Sequence, residues 1–216
     1  MKGNLMPSPT TSFLFISAFF AWRKRRKIAK EIGKWIKKGK PNPPPHPIKQ
    51  QTLLEFSAKY GLTLLIETGT FYGEMVEAMK HSFDHIISIE LSEDLYKKAC
   101  EKFKHDRNIE LLWGDSGKVL ATLIKKIDRA ALFWLDGHYS AGETAKGEKD
   151  TPIFEELNAI LSKPNIGNVI IIDDARCFGT DPSYPSLNQI EAFVFSKNPN
   201  LTVSVKDDSI RIIPCL

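Results

Sequence analysis

The sequence predicts an α/β fold: an open, mostly parallel sheet of seven strands that ends in an antiparallel hairpin. Three observations predict it. From Ile48 onward, short apolar runs of strand length alternate with helical patterns. The last two apolar runs, Thr202-Val203-Ser204-Val205 and Ile210-Arg211-Ile212-Ile213, flank the polar turn Lys206-Asp207-Asp208-Ser209. An acidic residue follows each of the first five runs, which is where an open parallel sheet places its ligands.

Taken in order, the pattern predicts a helix near Lys49 to Tyr60, a strand over Leu62 to Ile66, a helix over Gly73 to His81 and a strand over Ile86 to Glu90. Ser92 is the candidate N-cap of the next helix. There follow a strand over Ile109 to Trp113, a helix over Gly117 to Ile127 and a strand over Ala131 to Leu135. The series closes with a helix over Ile153 to Leu161, a strand over Val169 to Ile172 and a helix over Leu187 to Phe195 before the hairpin. This is a Rossmann-like, doubly wound order. Trp113 and Trp134 fall inside strands and are expected in the core. His46, His81, His85 and His105 fall in helical or linker patterns and are expected to be solvated.

The chain of 216 residues carries a formal charge of +4, unevenly spread. Eleven Lys/Arg and the single acid Glu31 put +10 into the first forty residues, which leaves −6 on the rest. Such an arm calls for an anionic partner, and the acidic remainder does not. Residues 13–22 are apolar but shorter than the roughly 20 residues of a membrane span, and the basic run Arg23 to Lys27 follows them, opposite to the order of a secretory signal. Ile28, Ile32, Trp35 and Ile36 then recur at helical spacing among lysines. A basic amphipathic helix of this kind suits an anionic membrane surface through residues 13–40, ahead of nucleic acid, and a disordered or domain-packed arm is the plain alternative. Five prolines within Pro41 to Pro47 predict an extended linker between the arm (1–40) and the domain (48–216). The three separated cysteines show no metal or redox spacing and fit a reducing compartment, so the expected location is cytoplasmic, peripheral at the membrane's cytoplasmic face.

The loop Glu67-Thr68-Gly69-Thr70-Phe71-Tyr72-Gly73 sits where a strand gives way to a helix, and its glycines predict backbone amides that face a ligand. Glu90 lies seventeen residues after Gly73, near the spacing at which a carboxylate takes ribose hydroxyls. Asp115, Asp136 and the pair Asp173-Asp174 end the next three strands. Glu67 and Asp115 have an ordinary reading too, as caps of the helices that follow.

With the closing hairpin, this set resembles the class I S-adenosylmethionine-dependent methyltransferases over about residues 48–216. The resemblance implies that Glu67, Gly69 and Gly73 line the cofactor's methionine portion, that Glu90 holds its ribose, and that Asp115 and Ser116 lie near its adenine. Thr68, Thr70, Phe71, Leu91 and Asp136 complete the implied cofactor-binding set. Leu135-Asp136-Gly137-His138-Tyr139 and Ile172-Asp173-Asp174 further resemble the metal-dependent O-methyltransferases of the catechol and macrolide-sugar type. That implies Asp136, Asp173 and Asp174 as ligands of magnesium or another divalent ion, and a hydroxylated small molecule or sugar as methyl acceptor. The catechol enzymes place a lysine three residues past the first metal aspartate, where this chain has Tyr139. His138 is the candidate general base, with an unperturbed pKa of about 6.5, alongside Asp136. The lid candidates Lys146, Lys149 and Asp150 read equally as solvated loop, and Arg176 as an acceptor contact or a neutralising charge.

Three rivals stand beside this reading. A nicotinamide-dependent oxidoreductase uses the same kind of sheet, but the loop lacks Gly-x-Gly-x-x-Gly, with Phe71 and Tyr72 in the way. A tailoring hydroxylase would keep the fold and the acids. A membrane-attached ligand-binding module would make the arm the functional part.

Overall fold

The computed structural model describes residues 9–137, 151–164 and 166–215, with side chains from Trp22 onward, Lys24 excepted. The elements in chain order are α1 (Pro9–Lys37), α2 (His46–Tyr60), β1 (Leu64–Thr68), α3 (Glu74–Met79), β2 (His85–Glu90), α4 (Glu93–Phe103), β3 (Ile109–Trp113) and α5 (Ser116–Leu123). They continue with β4 (Leu132–Leu135), α6 (Ile153–Ile160), β5 (Val169–Ile172), α7 (Leu187–Lys197), β6 (Leu201–Lys206) and β7 (Ser209–Pro214).

One seven-stranded sheet runs in the order β3-β2-β1-β4-β5-β7-β6. The first five strands are parallel, and β7 pairs antiparallel with both β5 and β6. Consecutive residues of a strand point to opposite faces, and here both faces are apolar. Ile66, Ile89, Phe133, Leu135, Ile170 and Ile172 pack with α5, α6 and α7, while Leu65, Ile86, Leu132, Trp134 and Ile171 pack with α2, α3 and α4. Parallel strands buried on both sides read as unbroken apolar runs, which is why the sequence exposed them.

Asp207 and Asp208, both with positive φ (49° and 59°), make the two-residue turn of the β6–β7 hairpin, the conformation that joins tightly twisted strands. Ser92 caps α4 through Leu95 N as expected. Asp115 caps α5, accepting from Lys118 N at 3.1 Å, so its ordinary reading holds. Glu67 caps nothing. β1 runs on to Thr68 instead of ending at Ile66, and Glu67 lies inside the sheet opposite Ser88 and Trp134.

Two other expectations change. Trp113, on the edge strand β3, is 55% exposed and not in the core, whereas Trp134 is buried. α2 starts at His46, with Pro47 at its first turn where a missing N–H costs nothing. Pro44 and Pro47 are both buried, so this segment is packed on the domain. α1 is one 29-residue helix. Its Trp35 is 8% exposed and donates to Pro41 O at 2.8 Å, so part of the expected membrane face is turned inward. No helix among the described residues is long and apolar enough to cross a membrane.

Candidate active site

The sheet reverses its winding between β1 and β4, and the crevice outside those two carboxyl ends is where such folds take ligands. The backbones meet there closely. A Cβ on Gly69 would stand 2.4 Å from the carbonyl oxygen of Asp136, and Gly69 has φ +81°. Gly73 also has positive φ, and its Cβ would meet the Phe103 ring at 2.6 Å. The glycines therefore serve contacts within the protein. The loop amides do as well: Gly69 N and Thr70 N donate to Ile89 O, Gly73 N to Thr70 O, and Phe71 N to Glu90 Oε2 at 2.7 Å. The expected array of outward amides is thus absent at those four positions, and the loop is not built as a phosphate cradle.

Glu90 organises the next part of the crevice. It is 6% exposed and its two oxygens accept from Phe71 N and from Ser92 N (2.8 Å), so it ties the β1 loop to the β2 end. Beside it Trp113 donates its ring N–H to Leu91 O at 3.1 Å and leaves its indole exposed. Asp115 and Ser116 follow on the next strand end. Ser116 donates to Glu156 Oε1 at 2.6 Å, and Glu156 is fully buried on α6. A Cβ on Gly137 would come within 3.2 Å of both Glu156 Oε1 and Thr68 Oγ1, so the backbone lies closely over this polar floor.

Two carboxyls here ionise late. Burial pushes Glu67 up to about 8, against the opposing effect of its Ser88 hydroxyl bond, with Glu90 adding repulsion. Burial likewise lifts Glu156 to about 7, partly offset by the hydroxyls of Ser116 and Thr68. An acid whose pKa is higher folded than unfolded binds more protons in the native state, so its stabilising contribution is whole below the ordinary value of 4.5 and is lost as pH rises through 7 and 8. The urea midpoint should therefore fall between pH 6 and pH 9. Glu156→Gln should flatten that fall around pH 7; an unchanged slope in the variant would refute the assignment.

The acids at the ends of β4 and β5 lie together. Asp136 N bonds Thr68 O at 3.1 Å and Asp173 N bonds Leu135 O at 3.0 Å, extending the β1–β4–β5 ladder by one residue. Burial, then the charge of Asp173, raise the Asp136 pKa well above the carboxylate range, with Lys49 opposing. Asp173 is 1% exposed and also raised by burial. Into this group comes a residue the sequence pattern did not single out. Lys49 of α2 pairs with Asp173 Oδ2 and stands 3.7 Å from Asp174 Oδ1. Burial disfavours its charge, but Asp173, Asp136 and Asp174 outweigh that and hold its pKa above the usual lysine value. Asp174 also bonds Arg176 Nη1 at 2.8 Å, and Arg176 reaches Asp208 in the hairpin turn.

This arrangement does not fit a divalent ion. Among the described residues no three His, Cys, Asp or Glu side chains converge to hold one, and an ammonium already bridges the carboxylates a metal would need. His138, Lys146, Lys149 and Asp150 lie outside the described residues. His46 is half-buried instead of solvated, with Nδ1 2.6 Å from Gln50 Nε2 and its pKa lowered by burial.

No family model matches the sequence, and no curated protein matches it. Solved structures do. The O-methyltransferase TomG from Streptomyces achromogenes, in complex with S-adenosylmethionine, is 15% identical, with 87% of this chain and 88% of that chain covered and a TM-score of 0.57. The O-methyltransferase from Bacillus cereus in complex with S-adenosylhomocysteine is 14% identical over 98% and 93%, at 0.58. The N-methyltransferase NodS from Bradyrhizobium japonicum is 14% identical over 77% and 93%, at 0.51. The strand order and these likenesses give the chain the fold of the class I S-adenosylmethionine-dependent methyltransferases.

Proposed function

We propose that the protein is an S-adenosylmethionine-dependent methyltransferase that methylates a hydroxyl of a small molecule or sugar. The observation that carries this reading is the Glu90 carboxylate, buried and clamped between Phe71 N and Ser92 N beside the β1–β4 crevice. Carboxylate oxygens have lone pairs beyond those two bonds and can accept both hydroxyls of a ribose. Glu67, Thr68, Gly69, Thr70 and Gly73 shape the wall at the methionine end, and Phe71, Leu91, Asp115, Ser116 and the exposed Trp113 the wall at the adenine end. Trp113 offers an aromatic face for stacking.

The bound cofactor supplies an electrophilic methyl on a sulfonium, which leaves as a neutral thioether when the acceptor oxygen forms the new C–O bond. The chain's part is to hold that oxygen in line and to take its proton. We assign the proton to Asp136, which ends β4 at the crevice with its N–H bonded to Thr68 O, and whose carboxyl burial makes more basic than an exposed one. The metal assistance implied by the resemblance is left out of this reading, because Lys49 stands among the three acids. Incubation with methyl-labelled S-adenosylmethionine and a panel of phenols, catechols and sugars tests the proposal. Label in an O-methyl product is expected; label only in N-methyl products would contradict the acceptor class.

The arm supports a second, independent proposal of peripheral attachment to an anionic, cytoplasm-facing membrane. Its support is a helix whose exposed Arg25, Arg26 and Lys27 lie beside an exposed Trp22. Vesicles rich in phosphatidylserine should sediment the full chain and release it in high salt, and a chain lacking residues 1–27 should stay in solution. That truncation spares Trp35 and its bond to Pro41. Binding unaffected by the truncation would overturn the proposal.

A further inference from the structure

We infer that Lys49 is a built-in cation that takes the place of a divalent metal at the acceptor end of the crevice, and that methyl transfer here needs no metal ion. The role in transfer rests on the methyltransferase reading; the exclusion of a metal does not.

Helix α2 determines where the side chain goes. Lys49, Thr52, Leu53 and Phe56 follow helical spacing on one face, and the last three are buried. Leu53 and Phe56 pack in the same core as Trp134 and Ile171 of β4 and β5. Thr52 also accepts from Arg211 Nη2 at 3.4 Å. The helix is therefore fixed over the strand ends, and Lys49, one turn earlier, reaches their acids. Its stem is largely covered and its ammonium meets Asp173, with Asp174 at 3.7 Å.

The charges balance in the same sense. Asp136, Asp173 and Asp174 bring three carboxyls to the ends of β4 and β5; Lys49 pairs with Asp173 and lies near Asp174, and Arg176 pairs with Asp174 and Asp208. A divalent ion bound by Asp173 would have to displace the ammonium that already pairs with that carboxylate, or lie against it and be repelled. An ammonium in that position does part of what a metal would do. It fixes the Asp173 carboxylate, leaves N–H donors free to turn toward an acceptor oxygen, and keeps the cluster from repelling an electron-rich acceptor. Lys49 is a positioning residue, acting through Asp173 and on the acceptor's approach.

Manganese serves as the probe, since its free aquo ion has an EPR signal that bound ion loses. Wild-type protein is expected to leave the signal intact up to about 1 mM, the weak end of the carboxylate-site range. Lys49→Met, which keeps the stem and removes the charge, should gain manganese affinity at least about tenfold, and Lys49→Arg should behave as wild type. In a transfer assay, wild-type activity should survive chelator, and Lys49→Met should raise KM for the acceptor more than it lowers kcat. Wild-type binding of manganese tighter than about 100 µM, or an unchanged isotherm in a folded Lys49→Met, would overturn the inference. If Lys49→Met does not fold, the wild-type titration decides alone. S-adenosylhomocysteine binding measured on the same samples separates this question from the methyltransferase reading: its absence refutes that reading and leaves the metal result standing.

Discussion

Gly69→Ala should destabilise the domain by about 3 kcal/mol and abolish cofactor binding, a larger effect than any other single methyl added to the loop. Two costs combine. Gly69 holds φ +81°, where an alanine costs of order 1–2 kcal/mol, and the new Cβ would lie 2.4 Å from Asp136 O and 2.8 Å from Asp136 C. Both atoms are backbone, so relief requires β1 and β4 to part at the crevice. That movement also disturbs Asp136 and the Gly69 N bond to Ile89 O. Gly73→Ala is the control: its φ is +67°, but the Cβ meets the edge of the Phe103 ring, which can turn. It should cost about 1–2 kcal/mol and leave binding measurable. Urea midpoints of the two variants check the order; equal costs would contradict the tight β1–β4 approach.

Glu90→Ala should weaken S-adenosylhomocysteine binding at least about 100-fold, since hydrogen bonds to a charged group are worth about 1.5–3 kcal/mol each and two ribose hydroxyls are at stake. The variant also strands Phe71 N and Ser92 N, which Glu90 satisfies in the free protein. Some loss of stability accompanies the loss of affinity. Glu90→Gln keeps the shape and one acceptor, so calorimetry should place it between the two. If Glu90→Ala bound as well as wild type, the ribose would lie elsewhere.

The fold was legible because both faces of β1, β2, β4 and β5 are buried, and fully buried strands leave apolar runs that no amphipathic helix imitates. Val169-Ile170-Ile171-Ile172 is the clearest case, and the structure gives the strand the same bounds. Strand ends were less legible. β1 continues through Glu67 and Thr68 because Ser88 lies opposite and supplies a hydroxyl, a long-range fact that Ile66-Glu67 does not carry. Trp113 was misplaced for a related reason: β3 is an edge strand, and edge position follows from topology, not local pattern.

Of the candidate site, the strand-end residues Glu90, Asp115, Asp136, Asp173 and Asp174 could be read from position alone, because a carboxylate just past an apolar run falls at the carboxyl end of the sheet unless, as at Glu67, the strand runs on. Lys49 could not, since one lysine among polar residues on a helix looks solvated. A signal existed in its i, i+3, i+4, i+7 relation to Thr52, Leu53 and Phe56. Glu156 left the same trace: it shares the apolar face of α6 with Ile153 and Ile160, at spacings of three and four. A charge on the buried face of a helix marks a partner to be sought across the fold.

Calorimetric titration of the folded protein with S-adenosylhomocysteine tests the central claim most directly. A single site with a dissociation constant in the micromolar range is expected, at least about 100-fold weaker in Glu90→Ala. Absence of binding at high micromolar ligand, in a sample that unfolds cooperatively, would contradict the account.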